Sequence, residues 1–344
     1  MGSGPQRVRD VVYVVGAGFS AGLGYPVTTN LVREIWNRLG NERQSQLAKV
    51  IKFHRPAFDE SDVATFPNIE QLLTAIAVNL DLFDASRPAE GNFKMRDLEE
   101  ARDSLLWTMA RWFHELYEPA KSRPWLAAFR HRLLTDNAAI VSFNWDLILD
   151  DLLFGKEIDG ASYGLTEELA PGPLLLKPHG SLNWYDSGDI KHVDKAQRVA
   201  IFDDRSASER VEAFRSPRPI RSKAGKRYSP LLVMPTFLKD FNRPIFRRLW
   251  NNCTSLLSTP KTLVFLGYSL PDADLHAQFI FRCGFHNQLE GRLRPTRGRH
   301  TPTGPSRVIV VNPDQAAFKR IRAVAGPDIE SQWIRSTVEE WVET

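Results

Sequence analysis

A short apolar run that ends in glycines constrains the fold of this chain more than any other feature. Val11–Val15 reads VVYVV, and every residue in it except the tyrosine is β-branched. The residues Gly16-Ala17-Gly18-Phe19-Ser20 follow directly. Such a run, bounded by glycine, is typical of a parallel strand whose two faces are both buried. The start of the chain therefore predicts a sheet strand that feeds a tight turn.

Similar apolar runs recur along the chain and predict the other strands. Short strands separated by helical segments indicate an α/β fold, with a Rossmann-like, mainly parallel sheet flanked by helices. Ligands of such sheets bind beyond the carboxyl ends of the strands, so functional residues are expected just after each run. The runs are Ala138–Phe143, Leu174–Leu176, Leu231–Met234, Leu263–Leu266 and Val308–Val311.

Two segments depart from this alternation. From about 41 to 137 the periodicity is helical, as in the stripe of Leu105, Met109 and Phe113, which predicts a helical insertion or subdomain. From about 187 to 230 the chain is rich in polar residues and weakly periodic, which predicts loops and short helices over the sheet. We interpret residues 1–344 as one ligand-binding domain that carries both segments.

The composition is that of a globular protein and does not indicate a membrane protein. Hydrophobic residues make up 42% of the chain and charged residues 25%, as in ordinary globular proteins. No apolar run approaches the roughly 20 residues that span a bilayer, and residues 1–10 lack the apolar core of a signal peptide. A cytoplasmic protein without a membrane partner is expected.

Two cysteines, Cys253 and Cys283, cannot supply a four-thiolate zinc site, so no metal is expected.

The charge distribution says little about partners except at one place. The net charge is +4, and most basic residues are scattered among 41 acidic ones. The stretch Arg292–Arg307 contains no acidic residue. We interpret it as a basic loop, with contact to phosphate or nucleic acid as the alternative, and direct nucleic-acid binding is not expected.

The glycine turn after the first strand matches a G-x-G-x-x-A fingerprint. Its glycines allow the backbone to approach a pyrophosphate, whose charge the following amides can bind. A purely structural turn is the alternative. The acidic ribose ligand expected about 20 residues further on is not evident, because Glu34 lies in a helical pattern. An ordinary dehydrogenase therefore fits poorly.

Two further motifs carry groups suited to acid–base and polar chemistry. Asn144 and Asp146 follow the strand Ala138–Phe143, where an amide and a carboxylate can orient water, although an Asx turn that caps a helix near Leu147 is equally consistent. His179 follows Leu174–Leu176 and precedes Gly180, which would leave space for a substrate beside the imidazole. A lone histidine is more often structural.

The last two strand ends carry small or hydrogen-bonding residues. Gly267, Ser269 and Leu270 follow Leu263–Leu266, and Asn312 follows Val308–Val311. These groups can meet the phosphate, ribose or adenine of a nucleotide, and each motif can also be a simple turn.

Taken together, the five motifs resemble those of the sirtuin family. The turn at Gly16 with Gly24-Tyr25-Pro26 is similar to the family's nucleotide loop G-A-G-x-S-x-x-x-G-x-P. The resemblance continues, in family order, with Asn144-Trp145-Asp146 as the N-x-D motif, His179-Gly180 as the histidine–glycine pair, Gly267 with Ser269-Leu270 as the late G-x-S-L turn, and Asn312 as the asparagine near the adenosine ribose.

The departures from the family indicate a branch. The chain has no cysteine pairs for zinc, and Val27-Thr28-Thr29 stands where deacylating sirtuins have Asp-Phe-Arg, which argues against a protein deacylase. The helical insertion and the motifs SFNWD, KPHGSLNW and GYSLPDAD resemble the sirtuin-like effectors of prokaryotic antiphage defence, which hydrolyse NAD+.

The resemblance implies roles for particular residues. NAD+ would be the substrate, with Asn144 and His179 catalytic. The NAD+-binding residues would be Gly16, Ala17, Gly18, Phe19, Ser20, Gly24, Pro26, Asp146, Gly267, Ser269, Leu270 and Asn312.

The resemblance also implies control of the activity. A toxic effector of abortive infection would be gated by homo-oligomerisation or by a hetero-complex with a sensor or ATPase subunit. Two alternatives remain: NAD-dependent deacylation or ADP-ribosylation of a macromolecule, and a non-catalytic subunit that senses NAD or ADP-ribose. A sensor would need neither Asn144 nor His179.

Overall fold

The structure is a computed structural model, and it describes residues 9–27, 30–82, 94–155, 157–166, 172–214, 220–221, 227–233, 242–272, 274–290, 304 and 306–344. The first half contains β1 (Val11–Val15), α1 (Ala17–Ala21), α2 (Leu31–Trp36), α3 (Asn41–His54), α4 (Ile69–Leu82), α5 (Met95–Lys121), α6 (Trp125–Thr135), β2 (Ala139–Ser142) and α7 (Ile148–Phe154). The second half contains β3 (Leu174–Leu176), β4 (Trp184–Asp186), β5 (Arg198–Asp204), β6 (Glu209–Phe214), β7 (Ile220–Arg221), β8 (Arg227–Tyr228), α8 (Pro244–Leu257), β9 (Thr262–Leu266), α9 (Leu275–Glu290), β10 (Arg307–Val311), α10 (Gln315–Ala325), β11 (Ser331–Ile334) and α11 (Val338–Glu343).

A six-stranded sheet forms the centre of the molecule, with the strand order β11-β10-β9-β1-β2-β3. Each neighbouring pair is parallel. Val12, Val14 and Val15 of β1 are fully buried, as expected for a strand whose two faces are covered. The predicted α/β fold with a parallel sheet flanked by helices is confirmed.

The helices α3 to α6 occupy the segment whose periodicity predicts helices. Leu105, Met109 and Phe113 form a buried stripe on α5. Phe129 of α6 makes an edge contact with Tyr13 of β1, at 5.6 Å between ring centroids. α6 therefore packs on the sheet through an aromatic contact, and buried residues of α3 to α6 belong to the same core as β1.

The prediction of loops and short helices for residues 187–230 is wrong for much of that segment. β4, β6 and β5 form an antiparallel sheet, and β7 pairs with β8. Charged residues hide these strands in the sequence, because Arg198 and Glu212 are buried as an ion pair with 2.6 Å between Nη1 and Oε2. A bulge between Ala200 and Phe202 also interrupts the alternation in β5.

One other predicted strand is wrong, and one observed strand lies outside the predictions. Leu231–Met234 is not a strand over its described residues, because Leu232 forms only a single antiparallel bridge, to Gly180. Met234 lies outside the described residues. The edge strand β11 was not predicted, because its sequence SQWI has no apolar run and is only partly buried.

The interpretation of Arg292–Arg307 as a basic loop falls mostly on residues outside the described ranges, and Arg307 itself begins β10. No helix in the described part of the chain is long and apolar enough to cross a membrane.

A buried carboxylate joins the antiparallel sheet to α8. Glu209 of β6 accepts hydrogen bonds from Arg243 Nε and, at 3.0 Å, from the Ile245 N–H in the first turn of α8. Arg243 also donates to Asp186, at 3.0 Å. Because an unpaired N–H at a helix start must find an acceptor, Glu209 fixes where α8 begins.

We expect Glu209→Ala to lower the free energy of unfolding by about 1–3 kcal/mol, because it leaves the buried Ile245 N–H without an acceptor. Arg243 remains partly exposed and keeps Asp186, so the full cost of a buried unpaired charge does not arise. Denaturant titration of the purified protein measures the change. Glu330→Ala, which removes an exposed partner of Arg307, is the control and should change stability by less than about 0.5 kcal/mol. Equal effects of the two substitutions would contradict this role of Glu209.

Candidate functional site

The candidate site lies where three central strands end. β1 pairs with β2 and β9 in parallel, so that Val15 lies opposite Ser142 on one side and Leu266 on the other. The pairing continues into the turns, where the Gly16 N–H donates to Leu266 O at 3.1 Å and the Phe143 N–H to Val15 O at 2.9 Å. The turns that carry Gly16, Asn144 and Gly267 therefore lie side by side.

The glycines of the first turn serve contact between two loops. The Gly18 N–H donates to Gly267 O at 2.8 Å, and a Cβ added at Gly18 would lie 2.7 Å from Gly267 Cα. Gly267 has φ of +59°, a value that disfavours other residues. The packing of the two loops therefore accounts for the glycines, as in the purely structural turn that was the alternative. The glycines alone do not indicate a pyrophosphate site.

The side chain of Asn144 links the turns after β1 and β2. Its Nδ2 donates to Gly16 O at 2.9 Å and to Ser20 Oγ at 2.8 Å. Because a carbonyl oxygen only accepts, the bond to Gly16 fixes which end of the amide is nitrogen. Both N–H donors are then engaged, and Oδ1 is the end of this half-buried side chain suited to accept a hydrogen bond from a ligand.

Asp146 completes this set of side chains. Ser20 Oγ donates to Asp146 Oδ2 at 2.6 Å, and the Ile148 N–H donates to Oδ1 at 3.1 Å. The second bond is the Asx turn considered as the alternative for this motif. Asp146, one residue before the N-cap Leu147, therefore binds the first N–H of α7 and also fixes Ser20. Burial raises the pKa of the Asp146 carboxyl, against the opposing effects of the Lys177 ammonium and the Ser20 hydroxyl.

His179 lies at the end of the neighbouring strand β3, in an aromatic environment. Its imidazole meets the ring of Phe143 edge to face, at 5.0 Å between centroids, and Phe143 stacks on Tyr268 at 4.5 Å. About 10% of the His179 side chain is exposed. Phe143 precedes Asn144, so its ring contact places the histidine next to the asparagine turn.

A carboxylate approaches the imidazole from the residue that precedes α9. Asp274 Oδ2 lies 3.6 Å from His179 Nε2, and it accepts a hydrogen bond from Tyr268 OH at 2.9 Å. Burial, and next the charge of Asp274, raise the pKa of the Tyr268 hydroxyl well above its usual value, so this hydroxyl donates. A histidine beside a carboxylate has the arrangement of a general base whose cationic form is stabilised.

The space beside Gly180 is filled. Gly180 has φ of +78°, and an added Cβ would lie 2.1 Å from Leu231 O. The Ser181 N–H donates to the same oxygen at 3.2 Å. The expectation that Gly180 leaves room for a substrate is therefore wrong, because the backbone of Leu231 occupies that room.

Several other predicted residues lie near Asn144, Ser20 and Asp146 but make no hydrogen bond with these three side chains. The ring of Phe19 is buried against Trp125, so in this structure it packs in the core and its backbone alone faces the turn. Gly24 has φ of +91° in the loop that continues to the half-buried Pro26. Leu270 is buried.

Ala17 is half-buried in the first turn of α1, directly after β1. The remaining predicted residues lie on the β9 and β10 side. Ser269 O accepts from Arg320 Nε at 2.8 Å. Asn312 Oδ1 accepts from the Asp314 N–H at 2.9 Å, which makes the turn that leads into α10, and its Nδ2 lies 3.5 Å from Tyr268 O.

Sequence reasoning missed the residues that support the two candidate catalytic groups. Asp274 follows an exposed aspartate, Asp272, by two positions, and nothing in the sequence distinguishes the buried carboxylate from the exposed one. Lys177 stands in the KPHG motif and has its side chain almost fully buried, an uncommon place for a lysine.

Two cavities in the described part of the chain lie away from this site. One, of about 460 Å³, lies between the β5–β6 turn and α8, with Asp204, Arg247 and Arg248 in its lining. The other, of about 110 Å³, is lined by Arg9, Asn137 and apolar residues near β3. In the described ranges, no group of three or more histidine, cysteine or acidic side chains is arranged to hold a metal ion.

Comparison with known proteins finds similarity only to solved structures. No family model matches the sequence, and no curated protein matches it. Solved structures similar to this chain include a mutant Sir2 homologue in complex with ADP-ribose (13% identity, 97% of this chain and 88% of that chain, TM-score 0.44). Another mutant Sir2 homologue, with 2′-O-acetyl-ADP-ribose, aligns over the same shares at 12% identity and a TM-score of 0.45. A Sir2 homologue–NAD complex aligns over 97% of this chain and 86% of that chain, at 12% identity and a TM-score of 0.44. At this distance the similarity establishes neither a family nor a substrate for the present chain.

Proposed function

We propose that this chain binds NAD+ at the carboxyl edge of its parallel sheet and hydrolyses the bond between nicotinamide and ribose. The products would be nicotinamide and ADP-ribose. The observation that carries the proposal is the hydrogen-bonded set of Asn144, Ser20 and Asp146, which joins two strand ends beside His179 and its carboxylate Asp274. The order of the motifs along the sequence supports the same activity.

The turn after β1 would contact the pyrophosphate. Gly18 is exposed and Ala17 is half-buried, so this turn presents backbone at the surface between Asn144 and Gly267. The Gly16 and Gly18 N–H groups already donate to Leu266 O and Gly267 O, so other polar groups of the turn would meet the anionic pyrophosphate. Ser269 and Asn312, on the side of β9 and β10, would contact the adenosine half, and Asp146 lies on the side proposed for nicotinamide.

Asn144 would act on the charge that develops during bond cleavage. Departure of neutral nicotinamide leaves a cationic ribosyl oxocarbenium ion, and a fixed partial negative charge stabilises such a transition state. Asn144 Oδ1 is such a group, because the nitrogen end of the amide is held by Gly16 and Ser20. The same oxygen can accept a hydrogen bond from the attacking water.

His179 would accept the proton that this water loses. Hydrolysis adds the water oxygen to the ribose carbon and releases one proton, which the imidazole can accept as general base. The carboxylate of Asp274 would stabilise the resulting imidazolium, and Tyr268 holds that carboxylate in place. The proton then passes to solvent.

An enzyme that consumes NAD+ has to be restrained in a healthy cell. We propose that the chain is the effector of an antiphage abortive-infection system and that a partner subunit or self-assembly releases its activity. The support for this role is the resemblance of the SFNWD, KPHGSLNW and GYSLPDAD motifs to such effectors.

Replacing Asn144 by alanine should lower the rate of nicotinamide release by about 10²–10³-fold, the usual effect of deleting one transition-state hydrogen-bonding group. Release is measured by chromatography of NAD+ incubated with purified protein, alone and with any co-purifying partner. Asn251→Ala, which removes an exposed asparagine on α8, is the control and should retain the wild-type rate. A fully active Asn144→Ala variant would refute the assignment.

Replacing Asp274 by asparagine should lower kcat by about 10²-fold and leave KM for NAD+ nearly unchanged, since the carboxylate acts through His179 during proton transfer. Asp272→Asn, two positions away at an exposed side chain, is the matched control and should keep the wild-type kcat. If Asp274→Asn raised KM alone, Asp274 would belong to substrate binding and not to proton transfer.

A further inference from the structure

The side chain of Lys177 is the most deeply buried cationic group beside the site. It follows β3 directly, and 1% of it is exposed. A lysine is rarely buried to this extent unless its charge is paired and its hydrogen bonds are satisfied. The surroundings of this ammonium group therefore indicate what it supports.

Each of the three N–H donors of Lys177 has an acceptor. Nζ donates to Asp146 O at 2.6 Å, to Ser181 Oγ at 2.7 Å and to Asp150 Oδ2 at 2.9 Å. The other oxygen of Asp150 accepts a hydrogen bond from Tyr163 OH. An ammonium group has three donors, so this environment satisfies its hydrogen bonds fully.

Two of the three acceptors belong to the two turns that carry the candidate catalytic residues. Asp146 O ends the turn with Asn144, and Ser181 lies in the turn with His179. Further bonds join the same turns: the Leu182 N–H donates to Trp145 O and Trp145 Nε1 donates to His179 O, both at 3.1 Å. Lys177 is thus a charged group that binds both turns at once.

We propose that Lys177 is a positioning residue that holds the Asn144 turn and the His179 turn at the separation the reaction requires. This inference rests on the proposed function. Lys177 contacts neither the substrate nor the reacting atoms, and it acts through the Asp146 carbonyl and the Ser181 hydroxyl. Asp150 supplies the counter-charge that allows the ammonium to be buried there.

The test removes both members of the ion pair, by Lys177→Met combined with Asp150→Asn, so that the carboxylate bonded to Nζ does not remain as a buried charge without its partner. The two measurements are steady-state nicotinamide release and hydrogen–deuterium exchange of peptides covering 143–149 and 178–183. We expect kcat to fall about 10²-fold with KM within about threefold, because a shift of about 1 Å between the groups suffices for such a loss. Exchange should rise in both turns and stay unchanged in β1.

A control and a second variant separate positioning from folding. Arg198→Met with Glu212→Gln removes a similarly buried ion pair in the antiparallel sheet and should leave kcat and both turns unchanged. Ser181→Ala cuts only one contact of Lys177, so it should raise exchange in 178–183, leave 143–149 protected and lower kcat about tenfold.

The inference is overturned if the Lys177→Met, Asp150→Asn protein keeps the wild-type kcat and wild-type exchange in both turns. It is also overturned if Ser181→Ala leaves the His179 turn unchanged, a result that remains informative should the double variant fail to fold. Wild-type protein that releases no nicotinamide would defeat the proposed function instead, while the exchange data would still decide whether Lys177 fixes the two turns.

Discussion

The parallel pairing of β1 with both β2 and β9 is the constraint on which the rest of the structure depends. Because Val15 is in register with Ser142 and Leu266, the turns after the three strands begin side by side at the same edge of the sheet. They therefore pack closely against one another. Glycines resolve this crowding, since Gly18 and Gly267 allow their backbones to touch. The same crowding brings the Asn144 amide against Gly16 O, where polar backbone at the strand ends offers it an acceptor.

A layer of buried polar groups lies beneath these turns. Lys177, Asp150 and Tyr163 are nearly inaccessible to solvent, and each makes hydrogen bonds within the layer. Burying charge in this way stabilises a fold little, because desolvation offsets much of the attraction. What it provides is a fixed geometry, since a satisfied buried network has few alternative arrangements. A rigid base under half-buried side chains is what a site for sugar-bond cleavage needs.

Much of this arrangement could be predicted from the sequence because it depends on local patterns. The apolar runs located β1, β2, β3, β9 and β10, and the strand-end rule placed Ser20, Asn144 and Asp146 together. The β5–β6 hairpin could not be predicted because its buried positions include charged residues. Those charges are neutralised only by a partner on the neighbouring strand. The contact of Asp274 with His179 and the approach of Leu231 to Gly180 could not be predicted from the sequence. Both depend on how distant segments of the chain pack together, and no local pattern indicates that.

The central claim, that this chain hydrolyses NAD+, is tested most directly by the fate of a labelled water oxygen. Wild-type protein would be incubated with NAD+ in water enriched in ¹⁸O, together with any partner that co-purifies, and the products analysed by mass spectrometry. Hydrolysis by this site would give nicotinamide together with ADP-ribose that carries one ¹⁸O atom, because the water held near Asn144 would attack the ribose carbon. Unchanged NAD+ in every condition despite tight binding, or a cyclic product without the label, would contradict it.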